Sequence, residues 1–185
     1  MSQDALSKLL STHDWLMADG ATGTNLFNMG LTAGEPPEFW NVEHPDRIRS
    51  LYRSAVEAGS DIFLTNTFGG NASRLKLHNA QGRVRELNRI GASLGREIAD
   101  AAGRPVVVAG SVGPTGDIFE PMGTLTHAAA VEMFHEQAEG LKEGDEATTP
   151  QGRQGMKSSR DRRTRRQRPD RTRHTNRVVD GVELA

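Results

Sequence analysis

Three short apolar runs punctuate the first 110 residues: "WLMAD" at 15–19, "IFLTN" at 62–66 and "PVVVAG" at 105–110. Each is too short for a helix and nearly continuous in hydrophobicity, which predicts strands of a parallel sheet buried on both faces. Between them the pattern turns helical. After Pro45, a favoured first-turn residue, Ile48, Leu51, Tyr52, Ala55 and Val56 recur at spacings of three and four, and Gly59 supplies the stop. Val84, Leu87, Gly91, Leu94 and Ile98 make a second stripe, closed by Gly103. Thr126 then predicts the cap of a third helix, with Val131, Phe134, Ala138 and Leu141 facing inward. The order β-α-β-α-β-α predicts an α/β fold of about three β/α units around a parallel sheet.

The pattern stops after Gly144. Residues 145–177 hold one large apolar side chain, Met156, and the stretch "SSRDRRTRRQRPDRTRH" at 158–174 contains eight arginines among seventeen residues. Such a segment cannot bury enough surface to offset its ordering entropy, so 145–185 is predicted to be a disordered basic tail. The charge divides at the same place: residues 1–144 carry 12 Lys+Arg against 18 Asp+Glu, and residues 145–185 carry 11 against 6. Two domains of text follow, an ordered 1–144 and a tail 145–185. Arginine density suits phosphates, which gives one reading: a ligand-binding module with a nucleic-acid-binding arm. The run lacks interleaved aromatics for stacking, however, and begins where a fourth strand is due. It reads better as out-of-frame text, with no nucleic-acid partner.

The chain has no cysteine, which excludes disulfides, thiolate metal sites and a cysteine nucleophile. Its N-terminus lacks the apolar stretch of a secretory signal, and no run reaches the roughly 20 residues that span a bilayer. A soluble, cytoplasmic protein without a membrane partner is expected. The oligomeric state is not legible.

Each predicted strand runs straight into a glycine-rich polar stretch: "DGATGTN" (19–25), "TNTFGGN" (65–71) and "GSVGPTG" (110–116). In a parallel α/β fold these lie together at the carboxyl ends of the strands, the face where such folds bind ligands. Asp19 is suited to accept hydrogen bonds from an ammonium group, and the backbone at Gly20 to approach a carboxylate. Thr65, Asn66 and Thr67 are candidates for orienting polar substrate atoms. Together they suggest a zwitterionic, amino-acid-like ligand. "GATGTN" is neither a Walker loop nor a dinucleotide fingerprint. The six histidines show no metal-binding spacing, and Trp40 reads equally as a pocket wall or a core anchor.

Four stretches, "ADGATGTNLF", "FWNVEHPDRI", "EAGSDIFLTNTFGGN" and "VVVAGSVGPTGDIFEP", resemble the homocysteine S-methyltransferase family. The resemblance runs from about Trp15 to Gly144. It implies the N-terminal portion of a (β/α)₈ barrel, and an enzyme that moves a methyl group from a betaine or methyltetrahydrofolate-type donor to homocysteine, giving methionine. It also implies that Asp19 binds the homocysteine amino group, that the backbone around Gly20 meets the carboxylate, and that Thr65, Asn66 and Thr67 line the pocket. On the donor side it offers only Trp40; Gly69 stands where animal betaine enzymes have a tyrosine. The family holds zinc through cysteines on later strands, and this chain has none. A chain that is inactive alone is therefore expected, with no cofactor of its own.

Overall fold

Ile62, Phe63 and Leu64 pair in parallel with Val107, Val108 and Ala109, so the second and third apolar runs form the sheet that the pattern predicts. The structure is a computed structural model and describes residues 5–148. Its elements are α1 (Ala5–Leu10), α2 (Thr22–Asn28), a 3-10 turn at Pro37–Phe39, α3 (Trp40–Glu43), α4 (Pro45–Glu57) and β1 (Ile62–Leu64). There follow α5 (Ala72–Lys76), a second 3-10 turn at Gln81–Arg83, α6 (Val84–Asp100), β2 (Val107–Ala109) and α7 (His127–Thr148).

The first apolar run is not the strand that was expected over 15–19. It makes a single parallel bridge, Ala18 to Ile62. The Ile62 N–H donates to Met17 O at 3.1 Å and the Asp19 N–H to Ile62 O at 3.0 Å. The segment therefore follows β1 for about one ladder step. Among the described residues it is an edge with a neighbour on one side only, and Trp15 is 69 % exposed; Met17 adds two bonds to Asp61, its O accepting the Asp61 N–H at 2.7 Å and its N–H donating to Asp61 Oδ2 at 2.9 Å. Even so, the spatial order is the sequence order, with β1 in the middle.

The sheet is covered on one face, not two. Phe63 is fully buried and stacks on Tyr52 of α4 at 5.0 Å between ring centroids. On the same side α6 comes close because Gly95 has no side chain: a Cβ there would stand 2.9 Å from Val108 Cγ1 and 3.3 Å from Phe63 Cε2. Ile48, Leu51, Leu94 and Ile98 complete this core. Leu64, which alternates to the other face, is 37 % exposed. Both connecting helices thus lie on one side of the sheet.

Helix ends follow the glycines. Gly59 and Gly103 adopt left-handed φ values of 98° and 70° just past α4 and α6. Thr126 caps α7, its Oγ1 accepting the Ala129 N–H at 3.1 Å. The inward face of α7 differs from the apolar stripe expected, for Val131 is 49 % exposed. Leu141 is buried as expected, but its buried companions are Ala130, Gln137, Gly140 and Gly144. Small residues win because α7 lies tight on α6, where a Cβ on Gly144 would stand 2.1 Å from Arg89 O. The expected boundary after Gly144 falls within α7, which runs to Thr148. The arginine-rich stretch lies outside the described residues. No helix among them is long and apolar enough to cross a membrane.

Candidate functional site

The chain beyond β1 enters the core. Thr65, Asn66 and Thr67 are all buried. The Thr65 and Thr67 hydroxyls meet at 2.6 Å; Thr65 Oγ1 also accepts the Ser111 N–H at 3.0 Å, while Thr67 Oγ1 donates to Ser111 O at 2.8 Å. These bonds fasten the end of β1 to the end of β2. Asn66 points the other way. Its Nδ2 donates to Pro37 O at 2.7 Å and to Asn41 Oδ1 at 3.0 Å, and Asn41 Nδ2 returns a bond to Asn66 O at 2.9 Å. The Asn66 N–H is taken by Tyr52 Oη at 2.7 Å. Burial pushes the Tyr52 phenol far above its ordinary pKa, so it stays neutral in this role.

Asp19 ends the edge segment on the same side of the sheet. Its Oδ1 accepts the Leu64 N–H at 3.1 Å. Partial burial raises its pKa above 3.8, opposed by the hydrogen bonds it accepts from Leu64 and its own backbone. Gly20 is exposed, and Ala21 takes a left-handed φ of 55° to turn the chain into α2. The glycine-rich stretch read as a loop is therefore the start of a helix from Thr22.

Between these two strand ends lies a cleft of about 500 Å³. Thr22, Gly23 and Leu26 form one side; Leu64 to Gly69 form the floor and back; Glu35 to Glu38, Arg74 and Leu75 of α5, and His78 just past it close the rest. Thr65, Asn66 and Thr67 thus line it; Asp19 and Gly20 are not among its lining residues, and Asp19 is joined to it through the N–H of lining residue Leu64. Trp40 is a core residue instead of a wall: its indole donates to Glu35 Oε1 at 2.7 Å, and the Arg47 guanidinium covers its ring at 4.7 Å. That indole bond, with further bonds from Thr32, holds the Glu35 carboxyl below its ordinary range.

Several residues of the site escape the sequence pattern. Glu38 is 4 % exposed, and its Oε1 accepts the Gly69 N–H at 2.6 Å. Burial raises its pKa, opposed by hydrogen bonds and by Arg74 and His78. Asn88 and Gln137 are completely buried and bond the backbone of the Thr67–Gly70 turn. Both interrupt an otherwise apolar or small helix face, and that interruption is the legible sign. No group of three or more His, Cys, Asp or Glu suited to a metal occurs among the described residues.

Residues 16–147 match the family model described as homocysteine S-methyltransferase. Over 138 residues the chain is 33 % identical to methionine synthase of Mycobacterium tuberculosis, covering 70 % of this chain and 12 % of that protein. Over 104 residues it is 32 % identical to betaine–homocysteine S-methyltransferase 1 of Rattus norvegicus, covering 53 % and 24 %. Its fold matches the crystal structure of the Escherichia coli homocysteine methyltransferase MmuM in the oxidized form. There the TM-score is 0.65 at 22 % identity, over 77 % of this chain and 54 % of that one. The metallated form matches equally, at 0.65 and 23 %. The chain spans about half the length of that solved structure and much less of the two longer relatives.

Proposed function

Because the chain belongs to the homocysteine S-methyltransferase family, we propose that its described part is the homocysteine-binding side of a methyl-transfer site, built on the first units of a β/α barrel. The full reaction joins the homocysteine sulfur to a methyl carbon while the bond from that carbon to the donor heteroatom breaks and the thiol proton leaves. Betaine and methyltetrahydrofolate-type compounds are the donor classes that fit the relatives' chemistry. In this reading Asp19 accepts the substrate ammonium, the exposed backbone at Gly20 meets the carboxylate, and the Thr65–Thr67 frame fixes the floor. The side chain with the thiol then extends along the cleft.

The observation that carries this reading is the pairing of two unlike strand ends across one cleft. A part-buried carboxylate is bonded to its lining residue Leu64, and a buried, hydrogen-bonded polar frame forms its floor. A free thiol has a pKa of about 8.5, so methyl transfer at neutral pH needs its proton removed, and bound zinc supplies that in this family. The residues here do not fit such a metal. The chain has no cysteine, so no step is assigned to zinc on this chain. Calorimetric titration of homocysteine into the purified protein tests the proposal. Saturable binding that disappears in Asp19→Ala is expected, and wild-type protein that shows no binding would overturn it. Methionine formation by the chain alone is expected to be absent; turnover with bound zinc would contradict that.

A further inference from the structure

The Thr67–Gly70 turn forms the back wall of the cleft and is held from outside. Thr67 O accepts from Gln137 Nε2 at 2.8 Å, Phe68 O accepts the Gly113 N–H at 2.9 Å, and Gly70 O accepts from Asn88 Nδ2 at 2.8 Å. Those three fastenings come from behind the wall. The fourth does not: Glu38, whose Oε1 takes the Gly69 N–H, itself lines the cleft.

Keeping a carboxylate at 4 % exposure is unfavourable unless its bonds repay the lost hydration. Besides the Gly69 N–H, the Glu38 carboxylate accepts its own backbone N–H and stands in the field of Arg74 and His78. The turn that carries it is anchored by Asn66 through Pro37 O, so the carboxylate has little freedom to wander. Its seat also accounts for glycine at 69, where a Cβ would stand 3.0 Å from Glu38 Oε1 and 3.3 Å from Cδ. One side chain therefore spaces the Phe68–Gly69 wall from the Pro37–Phe39 turn across the cleft. We infer that Glu38 is a positioning residue, which sets the width of the cleft by accepting the Gly69 N–H and not by offering charge to the ligand.

The binding arm of the test rests on the homocysteine reading; the exchange arm does not. Amide hydrogen exchange over residues 67–70 in the free protein is compared for wild type, Glu38→Gln and Glu38→Leu, alongside homocysteine affinity. Glutamine keeps an acceptor oxygen, so it is expected to stay within about threefold of wild type in both measurements, whereas leucine raises exchange and weakens binding by about tenfold. Ile98→Ala, which loosens the core away from the cleft, separates this from a general loss of stability and is expected to leave affinity unchanged. Should Glu38→Leu fail to fold, Gly69→Ala crowds the same carboxylate from the other side and takes its place. The inference falls if Glu38→Gln behaves like the leucine variant, because charge would then be what matters. It falls also if the leucine variant exchanges like wild type. If wild type does not bind homocysteine, the functional reading fails and the exchange data alone decide the role of Glu38.

Discussion

The polypeptide leaves β1 and the neighbouring edge segment in opposite ways. After Leu64 it dives: Thr65, Asn66 and Thr67 are buried, and their side chains bond Ser111, Pro37 and Asn41. After Ala18 it surfaces, with Asp19 part-buried, Gly20 exposed and Ala21 in a left-handed turn. The first lines the cleft and is committed to the protein, which makes it a frame; the second is joined to it through Leu64 and carries the carboxylate that the proposed function assigns to the ligand. A pocket-lining side chain is thus not automatically a ligand contact. Asn66 lines the cleft, yet its Nδ2 is spent on Pro37 O and Asn41 Oδ1.

The strongest test of the frame is Asn66→Leu. It leaves Asn41 Oδ1 without its donor inside the core and takes one of two bonds from Pro37 O, which keeps the Trp40 N–H. One orphaned buried acceptor at about 1–3 kcal/mol and one lost hydrogen bond at about 0.5–1.5 kcal/mol predict a loss of about 1.5–4.5 kcal/mol in denaturant unfolding. A loss below about 1 kcal/mol would mean that the frame is not rigid, and the contrast between the two ends would collapse.

Gly70→Ala probes the same end by crowding. A Cβ at Gly70 would stand 2.7 Å from Asn88 Oδ1 and 2.9 Å from Thr67 O. The second neighbour is backbone and cannot swing away. Overpacking of this kind is expected to cost about 1–3 kcal/mol, read as a lower unfolding midpoint with an unchanged m-value. An alanine accepted without loss would show that the turn has slack.

How legible these two ends are in sequence follows from what writes them. The frame's location was readable, since β1 is a continuous apolar run and "TNTFGGN" follows it at once. Its partners were not. Glu38, Asn41, Asn88 and Gln137 approach from four other elements, and only tertiary packing brings them to the 66–70 segment. The helices α4 and α6 declared themselves by period. In α7 the period misled at Val131, because close contact with α6 selects glycine and alanine over large apolar side chains. The edge strand shortened to one bridge because ladder bonds, unlike hydrophobicity, need a neighbour.

At the open end, Asp19→Asn separates stability from binding. Burial raises the Asp19 pKa above 3.8, so the folded state holds that proton more tightly than the unfolded chain does. Ionised Asp19 therefore costs some stability above its folded pKa, and the cost fades as pH falls from there toward 3.8. Asparagine retains an oxygen for the Leu64 N–H and carries no charge, so at neutral pH its stability is expected within about 0.5 kcal/mol of wild type. On the proposed function, homocysteine binding needs the carboxylate. Its affinity is expected to drop at least about tenfold in the variant, roughly 1.4 kcal/mol, and in wild type to decline as pH falls through the raised pKa. A wild-type affinity that is flat across that window would remove Asp19 from the ammonium contact.

The smallest effect is expected at Ala21, and its sign is what matters. Alanine in the left-handed region is strained by about 1 kcal/mol, whereas glycine adopts φ 55° freely but adds entropy to the unfolded chain. Ala21→Gly should therefore stabilise by about 0.5 kcal/mol at most. The same change at Ala72 in the first turn of α5 should destabilise by a similar amount, since that residue is helical. Opposite signs in paired thermal melts would place the strain at the Asp19–Ala21 end, where held strain can fix the direction in which the chain meets a ligand. If Ala21→Gly destabilised as Ala72→Gly does, the strain at the open end would be absent and both ends would rest on ordinary backbone.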